Sequence, residues 1–483
     1  MSEMRGHFIG GRLGAGRSTQ AIDVLNPATG DRIGEVSAAS PQDVDDAVDA
    51  AKRAFESKAW QSRSTADRGA ALWELSDRIL QHQDEFAELE VRDNGMPLAF
   101  ARAMVVNAAG ALRYYAGMIG KAPGIATDLN HGQNDVHAYT RREPVGVVAA
   151  ITPWNAPFAL LMAKLAPALA AGCSIICKPA EQAPLTASRL GELLHEWKMF
   201  PEGQINIVNG LGSVAGDALA HHHQVDKITF TGSTTTGRKL IAASAGNFKR
   251  VTLELGGKSP LFIFDDADLE KAIPAAAMAI FLNAGQVCLA GSRLYIQRGI
   301  YDRVIEGVAK IGGAMRVGDG MHADTQMGPL ISEQQMARVL SYIESGVSEG
   351  AELIGGGGQR IGDRGYFVSP AVFAHRGESE IRIAREEIFG PVVTAMPFDG
   401  LDDVERLAND TDYGLGSGVF TRDLSTAHQV AKRIRAGNVW INCYGLLDKS
   451  MPFGGFKQSG WGRESGFEGI SAFLETKSVF AML

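Results

Sequence analysis

From residue 145 onward the chain alternates strand-length apolar runs with segments of helical character, and this rhythm limits the fold more than any other feature. The runs VGVVAAI (145–151), SIICK (174–178), INIV (205–208), KITFT (227–231) and VTLEL (251–255) are separated by stretches such as PFALLMAKLAPALAAG, closed by Gly172, and PLTASRLGELLHEW. Such spacing predicts a parallel, doubly wound sheet with right-handed crossovers. A second α/β rhythm follows residue 256, with LFIF, RLYIQ, VVTAMPF, SGVFTR and NVWIN as its strands. Two α/β units are therefore expected, joined near ELGGKSP. Residues 40–120 read as mostly helical, since SPQDVDDAVDAAKRAF opens on a serine cap and carries an apolar face. The length of 483 residues agrees, being too great for one hydrophobic core.

In an open parallel sheet, ligands bind beyond the carboxyl ends of the strands. Asn155 follows the first strand, Lys178 and Glu181 the second, and Gly212 the third. Gly232 and Ser233 follow the fourth, and Glu254 ends the fifth, ahead of Gly256 and Gly257. Small, polar and charged residues thus converge on one edge of one sheet. GLGSVA (210–215) fits a loose dinucleotide fingerprint but lacks its acidic partner downstream, and GSTTTGRK (232–239) resembles a phosphate loop without the Gly-Lys-Ser/Thr ending. Each match is weak alone. With the strand-end convergence they favour a dinucleotide over a nucleoside triphosphate.

One cysteine stands apart. In NAGQVCLAGSR, Gly285 and Gly291 bracket Cys288 and promise backbone freedom on both sides. Cys173 and Cys177 lie in an apolar run and read as core, and Cys443, after NVWIN, reads as packing. Four cysteines in so long a chain make no disulfide framework, and their spacing matches no zinc pattern. His221 to His223 end a helix-like segment and read as a cationic cap, so no metal is expected.

A free thiol titrates near ~8.5 and needs help toward thiolate if it is to act as a nucleophile. No histidine lies near Cys288 in sequence, which leaves Glu254 as the better partner. Val251, Leu253 and Leu255 share one face of their strand and Glu254 takes the other. The alternative is a solvated strand carboxylate, but the two glycines just after it permit close approach to a ligand. Asn155 could donate to a developing oxyanion, a role worth ~10²–10³ in rate per donor, or simply cap the helix that follows.

The formal net charge of −8 and pI of about 5.8 argue against nucleic acid as a partner. No apolar run of transmembrane length occurs, and MSEMRGHFIGGR lacks the apolar segment of a signal peptide, so a cytoplasmic protein away from membranes is expected.

PWNAP, KPAE, FTGSTTTG, LELGGKSP, GQVCLAGSR, EEIFGPV and MPFGGFKQSG, with NPATG and TQMGPLIS, resemble in order and spacing the aldehyde dehydrogenase superfamily over nearly the whole chain. The resemblance implies a Rossmann-like cofactor domain (1–124 and 146–255), an α/β catalytic domain (256–469) and oligomerisation strands (125–145 and 470–483). It implies that Cys288 attacks an aldehyde to give a thiohemiacetal, whose oxyanion the Asn155 amide and the Cys288 N–H hold. Hydride transfer to the nicotinamide leaves a thioester, which water activated by Glu254 hydrolyses. Lys164 and Glu464 match positions that relay protons from that glutamate. Glu387 and Phe389 match positions that hold the nicotinamide ribose and ring, and Lys178 and Glu181 those that bind the adenosine ribose. The neighbouring Ile151, Thr152, Pro153, Trp154, Gly212, Gly232, Ser233, Leu255 and Gly256 complete the expected cofactor site. A carboxylate at the adenosine ribose would repel a 2′-phosphate, so NAD is favoured, with NADP second.

By the same resemblance the acyl tunnel carries Ala156, Leu160, Ala163, Leu282, Val287, Leu289, Leu447 and Phe453. Several relatives that oxidise small aldehydes have bulky aromatics where this chain has Ala163, Leu282 and Leu447, so a medium or large hydrophobic aldehyde is expected, aromatic or terpenoid-like. A CoA-acylating enzyme would not need Glu254, and a non-catalytic family member would be free to lose Cys288, Glu254 or Asn155. A cysteine hydrolase is a further alternative. DVHAYTRREPV (135–145) and ETKSVFAML read as edge strands in need of partners, which points to a homodimer or homotetramer.

Overall fold

The computed structural model describes residues 4–131, 134–377 and 380–482. Its first sheet runs, in spatial order, Gly460–Trp461, Arg250–Glu254, Lys227–Thr231, Val147–Ile151, Ser174–Lys178, Ile205–Ile207, His7–Ile9 and Arg12–Gly14. The middle five are mutually parallel and match the five apolar runs within a residue or two. Their order reverses between Val147–Ile151 and Lys227–Thr231, the switch point at which such sheets open a crevice. Strands buried on both faces can afford continuous apolar sequence, and Val147–Ile151 and Ser174–Lys178 are buried at every residue.

Four helices precede the parallel strands of this sheet: α1 (Pro41–Ser57), α2 (Thr65–Gln81), α3 (Gln83–Asn94) and α4 (Leu98–Ala116). Ser40 caps α1 through its hydroxyl while Asp43 returns a bond to the Ser40 N–H, a reciprocal capping box with Pro41 in the first turn. Helix α5 (Pro157–Ala171) is almost wholly buried, and Gly172 ends it at φ 99°, a conformation costly for any residue with a Cβ. Helix α6 (Leu185–Trp197) follows the second parallel strand.

The second sheet orders Glu352–Gly355, Ala371–Ala374, Val392–Phe398, Arg293–Gln297, Pro260–Ile263, Gly416–Phe420 and Asn438–Ile441. Its first two strands, four residues each, escape the sequence reading because they are short, and the first runs into the glycines at 355–358. The remaining five are parallel, as the rhythm predicts.

A third, three-stranded sheet joins Ala126–His131, Asn134–Pro144 and Leu474–Met482. The two segments read as separate edges in fact pair with each other, antiparallel from Leu474 opposite Pro144 to Met482 opposite Val136. Cys173 and Cys177 are fully buried, as expected. Among the described residues no helix is long and apolar enough to cross a membrane, and no group of three His, Cys, Asp or Glu could hold a metal ion.

Candidate active site

Asn155 lies in the loop between the first parallel strand and α5 and is buried. It does not cap α5, whose cap position is Ala156. Instead its Nδ2 donates to the Gln286 carbonyl at 2.9 Å, while Asn283 Nδ2 donates back to the Asn155 carbonyl at 2.9 Å. An amide carries two N–H donors, so one anchors the side chain and the other stays available. This reciprocal bond joins the first sheet's edge to the loop of the cysteine, far away in sequence.

That loop is not the free segment its glycines suggest. Asn283, Ala284 and Gly285 are three consecutive left-handed residues at φ 51°, 54° and 71°. Only the last is a glycine, so the turn is strained. A Cβ on Gly285 would lie 2.1 Å from the Gly390 carbonyl, and one on Gly291 3.1 Å from the Ala279 methyl. The glycines serve close packing. Gln286, buried, braces the turn by donating to the Asn283 carbonyl at 3.2 Å and accepting from the Ile331 N–H at 2.9 Å.

Cys288 sits half-buried just beyond. Burial first, and then the charges of Glu254 and Glu387, push its thiol up to about 12. The expected help toward thiolate is therefore not built into the resting chain, which offers the thiol carboxylates rather than a cation.

Glu254 ends its strand with 3 % exposure and neither carboxylate oxygen hydrogen-bonded, which excludes the solvated alternative. Burial and the charge of Glu464 hold it well above the usual carboxylate range, with Lys164 and Arg463 pulling the other way. A Cβ on Gly454 would come within 2.7 Å of its Oε1, so a glycine is required beside it. Lys164, buried on α5, makes a close ion pair with Glu464 and donates to Thr231 Oγ1 at 2.7 Å. Glu464 also accepts from Thr229 Oγ1 at 3.4 Å.

The residues expected at the cofactor line the same edge. Ile151 ends its strand, and the Thr152 N–H donates to the Lys178 carbonyl at 3.1 Å. The buried Lys178 ammonium donates to the Pro179 carbonyl at 2.8 Å and lies 3.6 Å from a part-exposed Glu181 carboxylate. Gly212 opens a short exposed turn of π-helix, and Ser233 caps the helix Thr234–Ser244 through the Thr236 N–H. The Gly232 N–H donates to the Glu254 carbonyl, and the Leu255 N–H to Ser459. Glu387 Oε1 accepts from the Gly257 N–H at 2.9 Å, and a Cβ on Gly256 would meet Glu387 Oε2 at 2.2 Å. Burial pushes Glu387 up to about 7. Phe389, at φ 61°, turns its ring edge-on to Trp154, centroids 5.3 Å apart; Pro153 beside Trp154 is half-buried.

On α5 and its cap, Ala156, Leu160 and Ala163 keep part of their surface where most neighbours are buried, and their spacing sets them on one face. Val287, Cys288 and Phe453 pack around Leu289, Leu415 and Trp440, together with Cys443 and Tyr444. Leu282 is half-buried and Leu447 49 % exposed. Cys443 thus packs against the same small cluster as Cys288. Sequence reasoning missed Asn283, Gln286, Trp440 and Tyr444. The aromatic pair in NVWINCYG was the available signal for the last two, and Tyr444 donates to the Leu289 carbonyl at 2.6 Å.

A thiol, an amide and an orphaned carboxylate thus gather at the open edge of a doubly wound sheet, where such folds bind their ligands. The model of the aldehyde dehydrogenase family matches residues 15–479, and the chain belongs to that family. It is 46 % identical to an aldehyde dehydrogenase of Enchytraeus buchholzi, covering 98 % of this chain and 95 % of the relative. It is 44 % identical to a phenylacetaldehyde dehydrogenase of Pseudomonas fluorescens, covering 98 % and 94 %. Among solved structures, the NAD+ complex of a Bacillus cereus aldehyde dehydrogenase superposes with a TM-score of 0.96 at 44 % identity, covering 100 % of this chain and 97 % of that one.

Proposed function

We propose that the chain oxidises a medium or large hydrophobic aldehyde, aromatic or terpenoid-like, to its carboxylic acid with NAD, through a thiohemiacetal and a thioester on Cys288. The observation that carries this reading is the orphaned, buried Glu254 carboxylate within electrostatic reach of Cys288. The residues at the sheet edge fit a dinucleotide: the glycines at 232 and 256 make room for the Phe230 ring and the Glu387 carboxylate, and Glu387, Phe389, Lys178 and Glu181 would hold its two riboses and ring. Glu181 beside Lys178 favours NAD over NADP by repelling a 2′-phosphate. When bound, the dinucleotide supplies the hydride acceptor and, in its oxidised form, a positive ring that favours the thiolate.

Cys288 loses its proton to solvent and adds as the thiolate to the carbonyl carbon, and the oxygen that becomes anionic meets the free N–H of Asn155 and the Cys288 N–H. After oxidation the acyl group is held as a thioester. Glu254, raised toward basicity by burial, takes a proton from water as it attacks the acyl carbon, and the acid leaves as the sulfur departs. From Glu254 the proton passes to the Glu464 carboxylate, with the paired Lys164 ammonium able to relay one only by giving up a proton as it takes another.

Ala163, Leu282 and Leu447 in place of larger aromatics support a roomy apolar pocket, and the similarity to a phenylacetaldehyde dehydrogenase points the same way. Residues 1–124 and 146–255 form the cofactor domain on this reading, 256–469 the catalytic domain, and 125–145 with 470–483 an oligomerisation sheet. Leu129, Tyr139, Phe480 and Met482 leave that sheet's apolar side chains exposed, which favours a homo-oligomer. The deciding experiment compares kcat/KM for acetaldehyde, benzaldehyde and citral, with NAD and then NADP. Preference for benzaldehyde or citral with NAD is expected. A clear preference for acetaldehyde overturns the substrate class, and stimulation by CoA would favour an acylating enzyme.

A further inference from the structure

Resting on the reading of Asn155 as an oxyanion donor, we infer that Glu90 and Asn94 of α3 are positioning residues for its amide. An Asn155 kept free for substrate leaves α5 without a cap of its own, since Ala156 stands at the cap position and makes no side-chain bond. Glu90 supplies the cap from another helix: its Oε1 accepts from the Phe158 N–H at 2.7 Å. A carboxyl group at a helix N-terminus also suits the helix dipole. One turn further along α3, Asn94 Nδ2 donates to the Trp154 carbonyl at 2.6 Å. The same face of one helix therefore grips the chain on both sides of Asn155.

Glu90 and Asn94 are both fully buried. One turn before Glu90, Phe86 stacks on Phe158 with ring centroids 4.3 Å apart. Residues 86, 90 and 94 thus form a rail along which the Asn155 loop is set. The bonds to Asn283 and Gln286 fix the opposite side. Without the rail, the amide keeps its anchor on Gln286 but its backbone is held from one direction only. Donors to a developing charge are worth their full effect only when preorganised, and a shift of about 1 Å can cost ~10²-fold.

The test measures kcat/KM for an aldehyde, NAD affinity and thermal midpoint in Asn94→Ala, Glu90→Leu, Glu90→Gln and Asn155→Ala, and in each rail variant combined with Asn155→Ala. Asn155→Ala should lose ~10²–10³-fold. Asn94→Ala and Glu90→Leu should each lose about tenfold with NAD affinity within about twofold, an intermediate loss for a displaced rather than deleted donor. Glu90→Gln keeps an acceptor for the Phe158 N–H and should stay within about twofold of wild type. The losses from the rail variants should vanish when Asn155 is already alanine, because residues acting through one group are not additive. Undiminished losses in that background, or wild-type kcat/KM in Asn94→Ala, overturn the positioning role. An Asn155→Ala enzyme with full activity overturns the reading of Asn155 itself. Should Glu90→Leu fail to fold, Asn94→Ala and its double variant decide alone.

Discussion

Glu254 and Glu464 are two buried carboxylates in one neighbourhood with opposite circumstances. Glu464 has a lysine partner and a threonine hydroxyl, whereas Glu254 has no hydrogen bond at either oxygen. A buried charge without partners is costly, so burial favours the neutral form of Glu254, and groups perturbed in this way cluster at functional sites. The paired carboxylate is a piece of structure as much as chemistry. The contrast separates what this site needs in order to stand from what it needs in order to react.

The largest expected effect breaks the pair at its reactive member. Glu254→Gln should lower steady-state turnover by about 10³-fold, the scale of a lost general base. Acyl transfer to Cys288 should survive, so rapid mixing with NAD and aldehyde should give one equivalent of NADH per active site and then near silence. Loss of that first equivalent as well would assign Glu254 to the attack on the aldehyde rather than to hydrolysis.

The opposite substitution reverses the balance between activity and stability. Glu464→Gln leaves Lys164 buried and charged without its counterion, and removing one partner of a buried pair costs on the order of 3 kcal/mol or more. At mildly acid pH, where Glu254 keeps its proton, urea unfolding should show a lowered midpoint in Glu464→Gln and little change in Glu254→Gln. Equal stability losses in the two would mean that Glu254 has a structural partner after all.

What was legible in the sequence follows the same division. Strand and helix positions were readable because apolar periodicity records burial directly. Glu254 stood out because one acidic residue ends an apolar strand just ahead of Gly256 and Gly257, and its burial agrees with that reading over a solvated carboxylate. Asn283 and Gln286 were not, since their side chains tie a left-handed turn to backbone groups distant in sequence, at Asn155 and Ile331, and nothing in NAGQVC announces that three residues share that conformation. The glycines around Cys288 were misread for a related reason. Composition records that a Cβ is missing, but not whether the space serves motion or a neighbouring carbonyl. Glu90 escaped notice because a cap supplied from another helix leaves no local pattern.

A smaller effect sharpens the comparison through pH. The charge of Glu464 is one of the causes that raise Glu254, opposed by Lys164 and Arg463. Turnover limited by the basic form of Glu254 should therefore climb with pH above the ordinary carboxylate range and fall off below it. Glu464→Gln removes a repelling charge, so its acid limb should move to lower pH in a plot of kcat against pH. A limb that stays in place, or moves up, would mean that burial alone sets the basicity of Glu254.

The smallest effect concerns stability rather than rate. A carboxyl group whose folded value lies above its unfolded one binds its proton more tightly when folded, so the stability it contributes is full below the unfolded value and is lost as pH rises through the folded one. Glu254 meets that condition through burial, as does Glu387, raised to about 7. The thermal midpoint of the cofactor-free protein should accordingly decline from mildly acid pH toward neutrality and beyond. Glu254→Gln abolishes one of these titrations, so its midpoint should decline less steeply and its advantage over wild type should widen as pH increases. Parallel curves for the two proteins would show that Glu254 finds solvent or a partner once ionised, which would remove the physical basis for treating it as the orphan of the pair.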